Sequence, residues 1–180
     1  PVCGSYNNPF TNCMGSPIRS EIWAMVSPGL PEAAARFAYY DAVVDHAGGE
    51  GVYGEIFFAA LESAAFLESD RETLLDIAMS CIPPQCRTYK ALSDLRKWHK
   101  EGLDWVSARN KIIEFHGSDN FTDAPQNIAF TILGWLYGKD FGDAILKATN
   151  CGYDTDCTAA TLGALLGIIS GADQIPKNCI

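Results

Sequence analysis

Basic residues are scarce in this 180-residue sequence. Lys and Arg together number 13 against 22 Asp and Glu, which gives a formal net charge of −9. Binding to nucleic-acid phosphates requires clustered Lys and Arg, because much of that affinity comes from displacing condensed counterions. The 13 basic residues are scattered along the chain, so the composition argues against DNA and RNA as partners.

Long apolar runs are also missing. No uninterrupted apolar stretch approaches the roughly 20 residues that a helix needs to span a bilayer. Residues 1–20 do not show a basic start followed by an apolar core. Because 48% of the residues are hydrophobic, the chain can build one sizeable core. We therefore expect a single domain over residues 1–180, without a membrane partner.

Paired CxxC motifs are absent, and the seven cysteines are spread between positions 3 and 179. An odd number of widely spaced cysteines is more typical of reduced thiols in the cytosol than of a disulfide scaffold. The three histidines lie at no zinc-ligand spacing from these cysteines. The sequence predicts a cytoplasmic location and no structural zinc site.

Strand-like alternation is almost absent, whereas helical periodicity recurs along the chain. Apolar spacing, together with Pro, Gly and Asp signals, predicts about eight helices and no sheet. Residues 1–30, rich in Pro, Gly and Asn, are predicted to be irregular. Three glycines four residues apart in the last helix predict a close approach by a neighbouring helix; they are Gly163, Gly167 and Gly171. The predicted helices cover approximately 31–47, 52–67, 69–82, 85–100, 104–115, 123–137, 140–150 and 156–170.

Two carboxylates stand one residue apart just before the last predicted helix. Asp154 and Asp156 suit the positive end of the helix dipole, and their oxygens supply half of a site for a hard cation. An EF-hand loop would require Gly and Glu where this chain has Ala159 and Leu165, so that motif is excluded. From spacing alone, a simple helix cap is the more common role of such aspartates.

A GxGxxG pattern at residues 49–54 is not a dinucleotide-binding fingerprint, because a helix precedes it and Glu50 and Glu55 would repel a pyrophosphate. His46 stands beside this glycine turn. Either it contacts a substrate there, or it is a helix C-cap favoured by the dipole. The polar residues 115–123 are either a solvated loop or part of a site, and no Ser-His-Asp or Cys-His arrangement is recognisable.

Several segments, in order along nearly the whole chain, resemble the ADP-ribosylglycohydrolase family. The strongest is the run Gly152-Tyr153-Asp154-Thr155-Asp156-Cys157-Thr158 with the small residues that follow it. The resemblance implies an all-α fold, a single orthogonal multi-helix bundle with two Mg²⁺ ions at its mouth. The other matching segments are 15–21, 27–34, 40–46, 51–54, 129–138, 140–145, Gly163 and 175–176.

By this resemblance, Asp154 and Asp156 correspond to the family's C-terminal magnesium ligands. The family commonly has Thr or Ser at the next position, whereas this chain has Cys157, a soft thiol that magnesium does not favour. Three alternatives follow: Thr158 completes the metal shell, a water completes it, or one metal position is weakened.

The same resemblance implies where substrate binds. His46, Gly49 and Gly51 correspond to a loop that approaches ADP-ribose, and Gly15 belongs to another loop around the same pocket. The family begins with a glycine-rich helix and a Thr-Asp-Asp cluster that supply further metal ligands, and nothing before Gly15 resembles them. We therefore expect a C-terminal portion of a longer domain, incomplete at its N-terminus, with the general base in the absent segment.

The implied activity is hydrolysis of the glycosidic bond at the anomeric carbon of ADP-ribose, in a modified protein or a small ADP-ribose-containing molecule. Two magnesium ions would hold the ribose hydroxyls and a reacting water. One alternative is an inactive structural or ADP-ribose-binding protein on the same scaffold. Another is a fragment that associates with itself or with its missing N-terminal part.

Overall fold

The computed structural model describes residues 3–177, except for the side chain of Cys3. Regular structure in this range consists of nine α-helices and three short 3-10 helices, without a β-strand. The 3-10 helices are Cys3–Ser5, Pro17–Arg19 and Ala172–Gln174. The α-helices, α1 to α9 in chain order, are Ser20–Met25, Pro31–Ala42, Glu50–Ala65, Arg71–Ser80, Arg87–Lys100, Trp105–His116, Ala124–Tyr137, Phe141–Asn150 and Thr155–Ser170.

Two buried helices form the centre of the bundle. Nearly every residue of α3 and α7 is buried and most are apolar, as expected of central helices of a core. α3 packs against α1, α2 and α4, whereas α7 packs against α5, α6, α8 and α9. α3 also contacts α7 and α9, so the two halves share one core. None of the helices between residues 3 and 177 combines the length and apolarity of a membrane span.

The all-α prediction is confirmed, but residues 1–30 are not uniformly irregular. α1 was missed because its six residues, Ser20–Met25, are too few to show a periodic pattern. The fold stabilises it instead. Ala24 is completely buried, and the indole Nε1–H of Trp23 donates a 2.9 Å hydrogen bond to Glu55 on α3.

Two helix ends also differ from the prediction. α2 ends at Ala42 instead of reaching the Gly48-Gly49 pair. Beyond Ala42 the chain continues in turns and bends, where Arg19 holds Asp45 with two hydrogen bonds of 2.8 and 3.0 Å. α4 is capped by Asp70, not by Ser69, because the Asp70 carboxylate accepts the Thr73 N–H at 2.9 Å.

The prediction that a neighbouring helix closely approaches the glycine face of α9 is wrong. Around Gly163 and Gly167, the nearest atoms in the described range are side-chain methyl groups, 3.7 Å from where a Cβ would stand. The close helix approach occurs on α7 instead, where a Cβ on Gly134 would lie 2.8 Å from the carbonyl oxygen of Ala144 on α8. Glycines spaced four residues apart identify one face of a helix, but they do not identify the element that covers it.

The N-termini of α3, α5 and α7 are bonded to one another at one end of the bundle. Glu50, in the first turn of α3, accepts the N–H groups of Arg87 and Thr88 at 2.8 and 3.0 Å, so it caps α5. Asn12 joins α3 to α7. Its side chain accepts the N–H of Glu50 at 2.9 Å, and its carbonyl accepts the N–H of Ala124 at 2.7 Å.

Candidate metal and ligand site

Asp154, Asp156 and Cys157 lie together at the start of α9. One carboxylate oxygen of each aspartate and the Cys157 Sγ all lie within 4.8 Å of one another. Ligand atoms at about 2.0–2.3 Å from one tetrahedrally coordinated ion are separated by about 3.3–3.8 Å. Side-chain movements of about 1 Å would therefore let the three atoms share one cation.

The two aspartates are not used as helix caps. Asp154 occupies the N-cap position of α9, but its side chain makes no capping hydrogen bond. Only 6% of the residue is exposed. Its polar neighbours are the Cys157 thiol and the Asp156 carboxylate, and burial raises the pKa of Asp154. Two carboxylate charges this close repel each other, and a bound cation would relieve that repulsion.

The side chains around the cluster differ in what they offer a ligand. Burial, with the neighbouring carboxylate of Asp154, raises the pKa of Cys157 to about 12, so the thiol is protonated at neutral pH. The Thr158 hydroxyl donates to the carbonyl of Thr155 at 3.1 Å, within its own helix. Its oxygen lone pairs remain able to accept, so participation of Thr158 in a metal shell stays a prediction.

The turn before α9 is held in an unusual conformation. Gly152 and Tyr153 both have positive φ angles, 81° and 64°, which is uncommon for a tyrosine. Arg109 stabilises the turn by donating two hydrogen bonds, of 3.1 and 2.9 Å, to the carbonyl of Cys151. The Tyr153 ring packs against the ring of Phe130, with 5.7 Å between the ring centroids. These contacts fix the direction in which the chain enters the aspartate pair.

Asn127 on α7 connects the aspartate pair to the loop that precedes α7. Its Oδ1 accepts the backbone N–H of Asp154 at 3.2 Å, and its Nδ2 donates to the carbonyls of Phe121 and Asp123 at 2.8 and 2.9 Å. Sequence reasoning missed this residue, because an asparagine inside an apolar helical run carries no local signal for a contact 27 positions away.

An open cleft of about 400 Å³ lies beside the turn before α9. Tyr153 lines one side, and Gly117, Ser118 and Asp119 of the polar loop line another. The Ser118 N–H donates to the Gln126 side chain at 2.8 Å, which ties this loop to α7. The loop is thus ordered by hydrogen bonds and borders a cleft that Tyr153, the residue before Asp154, also lines.

His46 is held in one orientation by an ionic network. Its Nδ1 lies 2.7 Å from the Asp45 carboxylate. Hydrogen bonds from Arg19 are the main cause that lowers the pKa of Asp45 to about 2, so Asp45 is ionised at neutral pH. Since α2 ends at Ala42 with Val43 as its cap, the alternative of His46 as a C-cap is excluded.

The structure brings Gly15 next to His46. A Cβ on Gly15 would lie 3.4 Å from the imidazole Nε2. Gly49 and Gly51 pack against the backbone of Thr11 so closely that a Cβ on either would overlap it. Their N–H groups donate to the carbonyls of His46 and Thr11, at 3.1 and 3.0 Å. Substrate contacts of these four predicted residues remain a prediction.

Two segments link the His46 turn with the aspartate cluster. Residues 11–14 run from the start of α3 to the loop before α7, where the Met14 N–H donates to the Thr122 carbonyl at 2.9 Å. From that loop, Asn127 reaches Asp154. Hydrogen bonds therefore connect the two groups of predicted site residues at one end of the bundle.

Glu55 does not face a ligand, contrary to the expectation that it would repel a phosphate. It is completely buried, and it accepts hydrogen bonds from the Ser16 hydroxyl and from Trp23. Burial raises the pKa of Glu55 to about 8. Its function in the fold is to tie α3 to the 16–23 segment, which carries Arg19.

Comparison with known protein families agrees with these features. A family model described as ADP-ribosylglycohydrolase matches residues 3–180. No curated protein and no solved structure gives a significant match. Since the family match extends over nearly the whole sequence and the fold is all-helical, the chain belongs to the ADP-ribosylglycohydrolase family.

Proposed function

We propose that the protein hydrolyses the glycosidic bond at the anomeric carbon of ADP-ribose, with a divalent cation bound by Asp154 and Asp156. The observation that supports this most strongly is the cluster at the start of α9, where one carboxylate oxygen of each aspartate and the Cys157 Sγ lie within 4.8 Å of one another. In a member of this family, two adjacent carboxylates in this arrangement fit a cation site.

The donor set fits a divalent cation. Two carboxylates supply oxygen ligands and negative charge, and the first turn of α9 holds both on one side. Magnesium is the first ion to test, because carboxylate oxygens are the ligands it prefers. When bound, a divalent cation supplies Lewis-acid polarisation and a template for ribose hydroxyls and water.

The chain's own residues then bind and orient the substrate. Asp45 holds the His46 ring through Nδ1, which leaves Nε2 directed at the Gly15 loop, where we place the ADP-ribose contacts. The positive dipole ends of α7 and α9 meet at the Asn127–Asp154 hydrogen bond. Helix N-termini favour anions, so they can offset the net charge of −9 near a diphosphate.

The substrate class is an ADP-ribosylated protein or a small ADP-ribose-containing molecule. Five free thiols among the described residues support a reducing compartment, and we propose the cytoplasm. Those cysteines are Cys13, Cys81, Cys86, Cys151 and Cys157.

Calorimetric titration with ADP-ribose, with and without a divalent cation supplied as MgCl₂ or CoCl₂, tests the proposal. We expect binding heat that depends on the divalent cation and is lost in Asp156→Asn. Asp173→Asn, an exposed aspartate outside the cluster, is the matched control and should bind like the wild type. Release of ADP-ribose from substrates with arginine, serine and small-molecule linkages should follow the same pattern.

The outcomes separate the possible functions. Binding without hydrolysis of any linkage would favour an ADP-ribose-binding protein on this scaffold. Absence of heat with both ligands would favour a structural protein and contradict the proposal.

A further inference from the structure

We propose that Cys157 makes the cluster at the start of α9 selective for a thiophilic divalent cation, such as Zn²⁺, Co²⁺ or Fe²⁺, over Mg²⁺. This inference rests on the cation site of the proposed function. It concerns the identity of the ion, whereas the proposed function concerns the substrate and the reaction.

The position of the sulfur atom is the first argument. The Cys157 Sγ lies within 4.8 Å of a carboxylate oxygen of Asp154 and of Asp156, so a cation bound by both aspartates meets the sulfur. Magnesium requires near-ideal octahedral oxygen coordination and gains little from a thiolate. Zinc, cobalt and ferrous ions bind mixed sets of sulfur and carboxylate ligands readily.

The second argument is the closeness of the two carboxylates. Asp154 is 6% exposed, and its oxygen lies within 4.8 Å of both the Cys157 Sγ and a carboxylate oxygen of Asp156. A cation bound between them relieves the repulsion of two like charges, and it lies beside the thiol. On binding, the cation forms a metal–sulfur bond and the thiol proton leaves to solvent.

The thiols elsewhere in the described chain provide an internal comparison. Cys81, at the end of α4, is half-buried like Cys157, but its Sγ donates to the carbonyl of Ile77 at 3.6 Å. No carboxylate cluster within residues 3–177 includes Cys81. Cys81→Ser is therefore a matched control for Cys157→Ser, since each replaces a half-buried thiol by a hydroxyl.

Titration of the metal-free protein with Co²⁺ tests the inference, because thiolate ligation gives a near-ultraviolet charge-transfer absorption. We expect this band at one equivalent of Co²⁺ in the wild type and in Cys81→Ser, and its loss in Cys157→Ser. The ratio of Zn²⁺ to Mg²⁺ affinity, measured by competition, should fall about tenfold or more in Cys157→Ser, which retains an oxygen donor. Thermal unfolding checks that each variant folds.

The outcomes distinguish this inference from the proposed function. If Asp154→Asn abolishes Co²⁺ binding but the wild type shows no charge-transfer band and the affinity ratio is unchanged in Cys157→Ser, the thiol inference is overturned and the aspartate site is retained. If Asp154→Asn binds Co²⁺ like the wild type, the aspartate site itself is wrong and both fail. ADP-ribose binding is measured separately and does not enter either result.

Discussion

The side-chain Oδ1 of Asn127 accepts the backbone N–H of Asp154 at 3.2 Å, which links the first turn of α7 to the start of α9. The same amide group donates from Nδ2 to two carbonyls of the loop before α7. One buried asparagine thus sets the position of the loop and of the aspartate pair together. If this is correct, its removal affects stability and cation binding at once.

Asn127→Ala should lower the free energy of unfolding by about 1–3 kcal/mol, because it leaves the buried N–H of Asp154 and the carbonyl of Phe121 without this partner. The affinity for the divalent cation should fall as well, since the Asp154 backbone loses its anchor. Urea unfolding and metal titration measure the two effects. Asn150→Ala, at the exposed end of α8, is the control and should change neither. Loss of stability with unchanged metal affinity would contradict the positioning function of Asn127.

Asp45→Asn should weaken ADP-ribose binding about fivefold, the cost of roughly 1 kcal/mol for a hydrogen bond that orients His46. The reason is that the neutral amide no longer pairs as an anion with Arg19 and with the imidazole Nδ1. Asp76→Asn removes a comparable exposed ion pair, with Arg96, away from His46. Calorimetry should show wild-type affinity in that control, and equal affinity in both variants would exclude His46 orientation by Asp45.

The buried Glu62 should make the stability of the protein fall as pH rises. It is fully buried on α3, and its carboxyl oxygens find no hydrogen-bond partner among the described residues. Burial, with a further contribution from the charge of Glu21, raises the pKa of Glu62 well above its usual 4.5. The folded state therefore keeps a proton that the unfolded chain loses as pH rises above 4.5. Stability falls by up to about 1.4 kcal/mol per pH unit until the folded-state pKa is passed.

Glu62→Gln removes this titration. We expect the variant and the wild type to have similar unfolding free energies at pH 4, and the variant to be increasingly more stable up to pH 8. Urea unfolding at several pH values measures this difference. Glu114→Gln, an exposed substitution on α6, should follow the wild-type curve. Parallel curves for Glu62→Gln and the wild type would show that Glu62 is not buried as a neutral acid.

A side chain at position 49, next to His46, is expected to clash with the neighbouring backbone. A methyl group there would overlap the Thr11 backbone, which cannot move away without losing the hydrogen bond from Gly51. Gly49→Ala should therefore destabilise the protein by about 1–3 kcal/mol. Gly142→Ala, in the first turn of α8 with ordinary contacts, should instead stabilise it by about 0.5–1 kcal/mol. Opposite signs in denaturant unfolding confirm the close approach, and equal effects contradict it.

Local patterns in the sequence were sufficient to predict most of the fold. Pro, Gly and Asp signals placed eight of the helices found in residues 3–177, because caps and breakers act within a few residues of their own position. The aspartate pair before α9 was also predictable, since Asp154 and Asp156 are neighbours in sequence. The structure added that neither side chain caps the helix.

Contacts between distant segments were not predictable. The hydrogen bonds of Asn127 to Asp154, of Glu50 to the start of α5 and of Trp23 to Glu55 join residues 27 to 38 positions apart. Neither periodicity nor composition specifies such pairs. The same limit explains the glycine error on α9, since spacing identified a helix face but the packing of α8 against α7 decided where backbones meet.

Anomalous diffraction from crystals soaked in Co²⁺ tests most directly whether the aspartate pair binds a divalent cation. We expect one strong peak within about 2.0–2.5 Å of carboxylate oxygens of Asp154 and Asp156. Absence of a peak there, with the Asp154 carboxylate hydrogen-bonded to the first turn of α9 as a cap, would contradict the account.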